Sequence, residues 1–216
     1  MDDNRRYSSI IEFIVFDAQP SDGIRNWIQT EFSDDLNTGY LRYFSWATDM
    51  NCNIQTVKNT TCFCSTKEIV SDLGCGDFTG YLGGQYIINL FLKRPKILLR
   101  QIKHKHEMGS ERISIRREYF DLMGGYDEQF LIADGYVEDL IARLKLADIL
   151  CVQVFEQKYT QSLEIKKSLS AEIEYIHLLN ESSKLSKKKI SEGQWVANHG
   201  IYGLRSHIFN HKGEKI

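Results

Sequence analysis

The chain has 216 residues, 42% hydrophobic and 26% charged, with a formal net charge of -2, the size and balance of one ordinary folded domain. Aromatic residues make up 12%, too many for a solvated tail, and the near-neutral total argues against a protein that binds polyanions, nucleic acid included, over its whole surface. No apolar run approaches the roughly 18 residues of a membrane span, and the opening MDDNRRYSS is too polar for a secretory leader. The expected location is cytoplasmic, at most peripheral at the inner membrane surface.

Residues 10 to 16, IIEFIVF, read as a strand buried on both faces of a parallel sheet, because the run is nearly continuous and rich in β-branched and aromatic types. AQPSDG supplies a turn, and IRNWIQTEF places Ile24, Trp27 and Ile28 at helical spacing. A second strand is expected at YLRYFSW after the turn signal Asn37-Thr38-Gly39, and the polar stretch from Asn53 to Thr66 suits a helix. Cys52, Cys62, Cys64, Cys75 and Cys151 are five, an odd number without scaffold spacing, so free thiols are expected. Zinc is disfavoured because Cys62 and Cys64 are separated by a single residue and no histidine lies between Cys52 and Cys75.

EIVSDL reads as a further buried strand, followed by the glycine-bearing loop GCGDFTGYLGG and the apolar YIINLFL. Loops at strand carboxyl ends are where open α/β sheets bind ligands. Residues 93 to 117 are basic, which marks either a solvated face or an anion contact. SIRREYFDLMGG has the form of a short helix capped by Ser114 and ended by Gly124, with Tyr119, Phe120 and Met123 inward. GYVEDLIARLKLADIL opens on the acidic pair Glu138-Asp139, suited to a helix start, and offers Leu140, Ile141, Leu144 and Leu146 for burial. Beyond Tyr159 a Lys, Glu, Ser and Leu composition predicts one long exposed helix or two short ones.

Three segments in this order, IIEFIVFDAQPSDGIRNWI, KEIVSDLGCGDFTG and GSERISIRREYFDLMGGYDEQF with GYVEDLIARLK after it, resemble glycosyltransferase family 2 of the GT-A type, in its galactosyltransferase-related branch. A weaker fourth match is EGQWVANHGIYG. The resemblance implies an α/β fold, a Rossmann-like, mostly parallel sheet flanked by helices. It divides one domain over 1–216 into a nucleotide-sugar side (1–92), an acceptor and catalytic side (93–157) and a carboxyl-terminal helical extension (158–216). It implies transfer, by default with inversion, from a nucleoside diphosphate sugar to a glycan or glycolipid acceptor, with Mn or Mg as cofactor. Asp17 and Asp22 match the nucleotide loop, Arg112 is the candidate phosphate contact, and Glu138 or Asp139 the candidate base.

The sequence departs from the family pattern at several points. Gly74, Cys75 and Gly76 stand where the family has Asp-x-Asp; Asp72 and Asp77 flank the triplet and either could substitute, with Asp77, one position later, as the candidate metal ligand. The acidic motif is one residue short, and Gln157 and Lys158 stand where the family has a metal-binding histidine. The family's first strand lies before the segment matched here, so an amino-terminally truncated sheet is expected, its vacant position open to a second copy or a partner chain. Motif loss with fold retention defines the alternative reading, a catalytically silent GT-A module that binds a glycan or a partner.

Overall fold

The computed structural model describes residues 1–18, 20, 23–46, 52–74, 76–102, 112–130, 135–155, 157–159, 161–162 and 169–216. Strand β1 (Phe13–Asp17) pairs in parallel with β2 (Leu41–Trp46), as the alternation of strand and helix signals predicts. Between them lie α1 (Ile24–Glu31) and α2 (Ser33–Thr38). Phe13 and Val15 pack with Ile28, Leu36, Leu41 and Tyr43 on one face, while Ile14 and Phe16 pack with Phe44 and Cys64 on the other. That two-residue alternation is what a strand's pleat produces. Apolar residues thus cover both faces of β1, as expected, but the strand is only half buried, because among the described residues β2 is its one sheet neighbour and the other edge is open. Ile24 and Trp27 of α1 remain exposed, at 39% and 56%.

Helix α3 (Ile54–Cys64) begins where the Asn53 side chain accepts the Thr56 N–H at 2.8 Å. The second sheet comprises β3 (Ile69–Ser71), β5 (Ile97–Gln101), β6 (Arg112–Arg116) and β7 (Leu150–Val154), in spatial order β3-β6-β5-β7. Short β4 (Asp77–Phe78) pairs with β8 (Gln161–Ser162) as a separate ribbon. α4 (Gly83–Lys93) covers one face of this sheet through Ile87 and Phe91. α5 (Arg117–Leu122) and α6 (Gly135–Leu146) cover the other, where Phe120, Met123, Leu140 and Leu144 join Leu98, Ile113 and Ile115 in the main core. Leu146 falls on the solvent side, 56% exposed.

The architecture is mixed α/β, which corrects the expectation of a mostly parallel sheet. Among the described residues only β1 with β2 and β5 with β7 run parallel. β6 runs against both β3 and β5, and β9 (Ile208–Asn210) returns from the carboxyl end to add antiparallel to β2. The basic stretch is corrected as well: residues 97–101 and 112–116 are the two middle strands, not a solvated face. Arg100 and Arg112 are 9% and 2% exposed, and residues 103–111 lie outside the described residues. Ser114 is no helix cap. It sits in β6 with its hydroxyl bonded to Ser71 at 2.7 Å, and α5 starts after Arg116. Gly124, at φ +70°, does end that helix as its sequence predicts.

Leu169–Ser191 form one long helix, α7, which packs on α6. The packing is close because Gly135 lacks a side chain: a Cβ there would lie 2.2 Å from that of Ser182. Residues of the fourth matched segment interlock with the Gly-Gly-Tyr-Asp turn. Asn198 donates to the carbonyls of Gly124 (2.8 Å) and Tyr126 (2.7 Å) and accepts the Glu128 N–H at 3.0 Å. Ahead of β1, a 3-10 turn over Asp2–Tyr7 leans on α4, where buried Asn4 donates to Thr79 at 2.6 Å and accepts the Gly84 N–H at 2.8 Å. Among the described residues no helix is long and apolar enough to cross a membrane.

Candidate functional site

The register puts the carboxyl ends of β3 and β5 and the start of β6 at one rim of the second sheet, with the ribbon beside it. Asp77 sits in that ribbon. Its carboxylate accepts the Gly74 N–H at 3.0 Å, closing the turn, and meets Arg112 at 3.5 Å. The rim therefore brings two expected site residues together, in a structural arrangement. The Arg112 guanidinium also donates to the backbone carbonyls of Phe78, Gln161 and Tyr159, the last at 3.1 Å. Burial pulls the Arg112 pKa down, and Asp77 only partly offsets it. Arg112 thus fastens the ribbon to β6 through its two terminal nitrogens, which are committed to protein oxygens, while its buried Nε has no partner among the described residues.

The neighbouring acids at the start of α6 point apart, as successive helical residues must. Glu138 is 52% exposed and holds Arg100 of β5 at 2.6 Å. Asp139 turns inward. One oxygen accepts Arg143 Nε at 2.7 Å, the other the Ser186 hydroxyl of α7 at 2.6 Å, and the side chain is 1% exposed. Arg143 continues to the carbonyls of Met123 (2.6 Å) and Gly125 (2.9 Å). Asp139 and Arg143 therefore tie together α6, α7 and the glycine turn. Asp17 ends β1 in the first sheet, accepting the Tyr43 hydroxyl at 2.6 Å; Asp22, the other expected nucleotide contact, lies outside the described residues, as does Cys75.

No family model and no curated protein matches this chain. Among solved structures, the catalytic domain of Drosophila β1,4-galactosyltransferase 7, determined with xylobiose, is similar at a TM-score of 0.44 and 10% identity, over 76% of this chain and 79% of that one. Likeness at that level transfers no chemistry from one chain to the other.

Asp77 was the expected ligand for a divalent ion. Such ions take about six or more oxygens, whereas this carboxylate already serves a guanidinium and a backbone N–H. A guanidinium beside it also opposes a second positive charge. Among the described residues no group of three or more His, Cys, Asp or Glu side chains is placed to hold a metal. Asp77 as it stands therefore does not fit the ion that the resemblance implies.

A cluster of titratable groups centred on Asp72, the other carboxylate flanking the glycine triplet, lies on the α6 side of the rim. Asp72, which directly follows β3, takes Lys58 of α3 at 2.6 Å and the Tyr126 hydroxyl at 3.1 Å. Lys58 Nζ also lies 5.3 Å from the centre of the Tyr136 ring. Burial lowers the Lys58 pKa, but Asp72 and Tyr136 outweigh it and the net shift is upward. Burial first, then Asp72, raises Tyr126 well above its ordinary value, and the same two causes push the Cys62 thiol up to about 12. A carboxylate immediately after a strand was the readable signal for Asp72. For Lys58 there was none, because its partner is 14 residues away on another element.

Proposed function

We propose that this chain is a glycosyltransferase-like module of the GT-A type that binds a glycan or a partner chain and does not transfer sugar. The observation that carries this reading is the commitment of three expected site residues to the architecture: Asp77 closes a turn, Arg112 clasps a ribbon and Asp139 anchors two helices. An inverting transfer needs a carboxylate with an oxygen free to take the acceptor's proton, and donors free to meet the leaving diphosphate. Asp139 has both oxygens occupied, and the two terminal nitrogens of Arg112 are aimed at protein oxygens.

A second reading, retained transfer, is favoured by one observation. Glu138 is half exposed at the first turn of α6 and oriented by Arg100. In that reading Glu138 takes the hydroxyl proton as the acceptor oxygen bonds to the anomeric carbon, and the nucleoside diphosphate leaves with the bonding electron pair.

Thermal unfolding with uridine and guanosine diphosphates and their sugars, with and without Mn, separates the two readings, since a ligand of the native state raises its midpoint. The module reading expects no metal-dependent rise and no transfer. A metal-dependent rise, with transfer abolished by Glu138→Gln, overturns it.

A further inference from the structure

The end of the second sheet opposite the rim carries a surface that the candidate site does not use. There β5 and β7 begin side by side, with Ile97 opposite Leu150 in the parallel register. Two turns meet at that end: residues 92–96 lead from α4 into β5, and residues 145–149 lead from α6 into β7. All of Leu92-Lys93-Arg94-Pro95-Lys96 is exposed, and Leu92, at 73%, is the most exposed large apolar residue described. Leu150 is 67% exposed. Val152 and Val154 pack under α4, and the pleat puts Leu150 on that same face. Leu146, four residues before Leu150, is exposed at the same end, and none of these three leucines belongs to a core cluster.

The charges of the two turns are nearly all of one sign. Lys93, Arg94, Lys96 and Lys145 accompany the leucines, and Asp148 is the single carboxylate in either turn. Among the described residues none of the four cations has a side-chain hydrogen bond or an ion pair. Cations elsewhere are matched: Arg116, at the neighbouring end of β6, meets Glu68 at 3.3 Å, and Lys184 on α7 meets Glu181 at 2.8 Å. Unpaired positive charge and exposed leucine therefore coincide at this end, in a chain whose net charge is -2.

We infer that this end docks on a bilayer surface rich in anionic phospholipid. Headgroup phosphates and carboxylates meet the cations, while the leucines reach the acyl boundary. Lysine and arginine suit that depth, because their stems lie along apolar groups while their charged heads stay in water. A protein partner is disfavoured, since interface cores are poor in lysine and rich in aromatic residues, and neither turn contains an aromatic residue. The same lack disfavours single-stranded nucleic acid, which is held by base stacking. β5 runs from this end to the rim, so docking leaves the rim facing away from the bilayer, and the inference stands whether or not the rim transfers sugar.

Co-sedimentation of the full chain with vesicles tests it, using phosphatidylcholine alone and equal parts phosphatidylcholine and phosphatidylserine. The chain is expected to bind the mixed vesicles, to come off them with added salt, and to bind the neutral ones far less. Lys93→Gln with Lys96→Gln should lower binding roughly 25-fold, at about fivefold per cation. Leu92→Ser should lower it roughly tenfold, the scale of one leucine withdrawn from an apolar medium. Lys158→Gln should bind as the parent does, because it lies at the rim, about 16 Å away along β5 and beyond a Debye length of about 8 Å. All four positions are exposed, so melting midpoints should match the parent's. No binding to mixed vesicles, equal binding to neutral ones, or a loss as large for Lys158→Gln as for the lysine pair would each overturn the inference. So would a loss in the lysine pair with none in Leu92→Ser, the pattern of an acidic protein or a nucleic acid instead of a bilayer.

Discussion

Two buried arginines, one on each face of the second sheet, handle their charge differently. Arg143, on the α6 side, meets a carboxylate at 2.7 Å and two carbonyls. Arg112, on the ribbon side, is surrounded mainly by carbonyls, with its carboxylate at 3.5 Å. The first is a compact ion pair inside a core, and the second a cation solvated by backbone. Removing the first strands a buried negative charge; removing the second leaves mainly neutral acceptors unsatisfied, since Asp77 lies farther off and keeps the Gly74 N–H. Uncompensated charge is the costlier of the two, because its desolvation is not repaid.

The comparison predicts a ranking. Arg143→Met should destabilise the chain by about 3–5 kcal/mol, read from urea denaturation, and adding Asp139→Asn should restore most of the loss. A single substitution costing less than about 1 kcal/mol would mean that Asp139 escapes to solvent when its partner goes. Arg112→Met should cost about 2–3 kcal/mol, with faster amide exchange confined to the ribbon at residues 77–78 and 161–162. Equal costs for the two arginines would break the distinction between paired and backbone-solvated charge.

The cluster around Asp72 gives a smaller effect with a definite sign. Cys62, Tyr126 and Lys58 all have folded-state pKa values above their ordinary ones. Each therefore contributes stability that is fully present below its unfolded value and is lost as pH rises toward the folded one. Cys62 acts first, between roughly 8.5 in the unfolded chain and about 12 in the fold. Stability should fall by about 1–2 kcal/mol from about pH 8 to pH 10, and Cys62→Ala should flatten that slope. A slope unchanged by the substitution would move its origin to Cys64, whose thiol burial raises to about 11.

Much of this organisation is legible in the sequence, and the exceptions have physical causes. α6 follows from apolar periodicity, because burial of one face is a local property of the chain; β2 follows from its apolar run after a turn signal, and α3 and α7 from composition alone. The charge of residues 93–117 concealed β5 and β6, although Arg112-Ile113-Ser114-Ile115-Arg116 alternates as a strand should. The sequence does not reveal that buried arginine finds its acceptors at Phe78, Tyr159 and Gln161, 34 to 49 residues away. Asp139 illustrates both sides. Arg143, four residues on, signals a helical ion pair, but Ser186, 47 residues away on α7, decides that the carboxylate is sealed.

Glu138 provides the smallest stability change and the sharpest functional test. Its side chain is half exposed and its link to Arg100 is a rim ion pair, so Glu138→Gln should change stability by less than about 1 kcal/mol. The fold does not need this carboxylate in the way it needs Asp139. A binding module should therefore tolerate the substitution with partner or glycan affinity intact. A transferase using Glu138 as base should lose turnover while its melting midpoint stays put, because glutamine keeps the shape and gives up the proton acceptor. Asp139→Asn cannot make that separation, since it perturbs α6 and α7 together through Arg143 and Ser186.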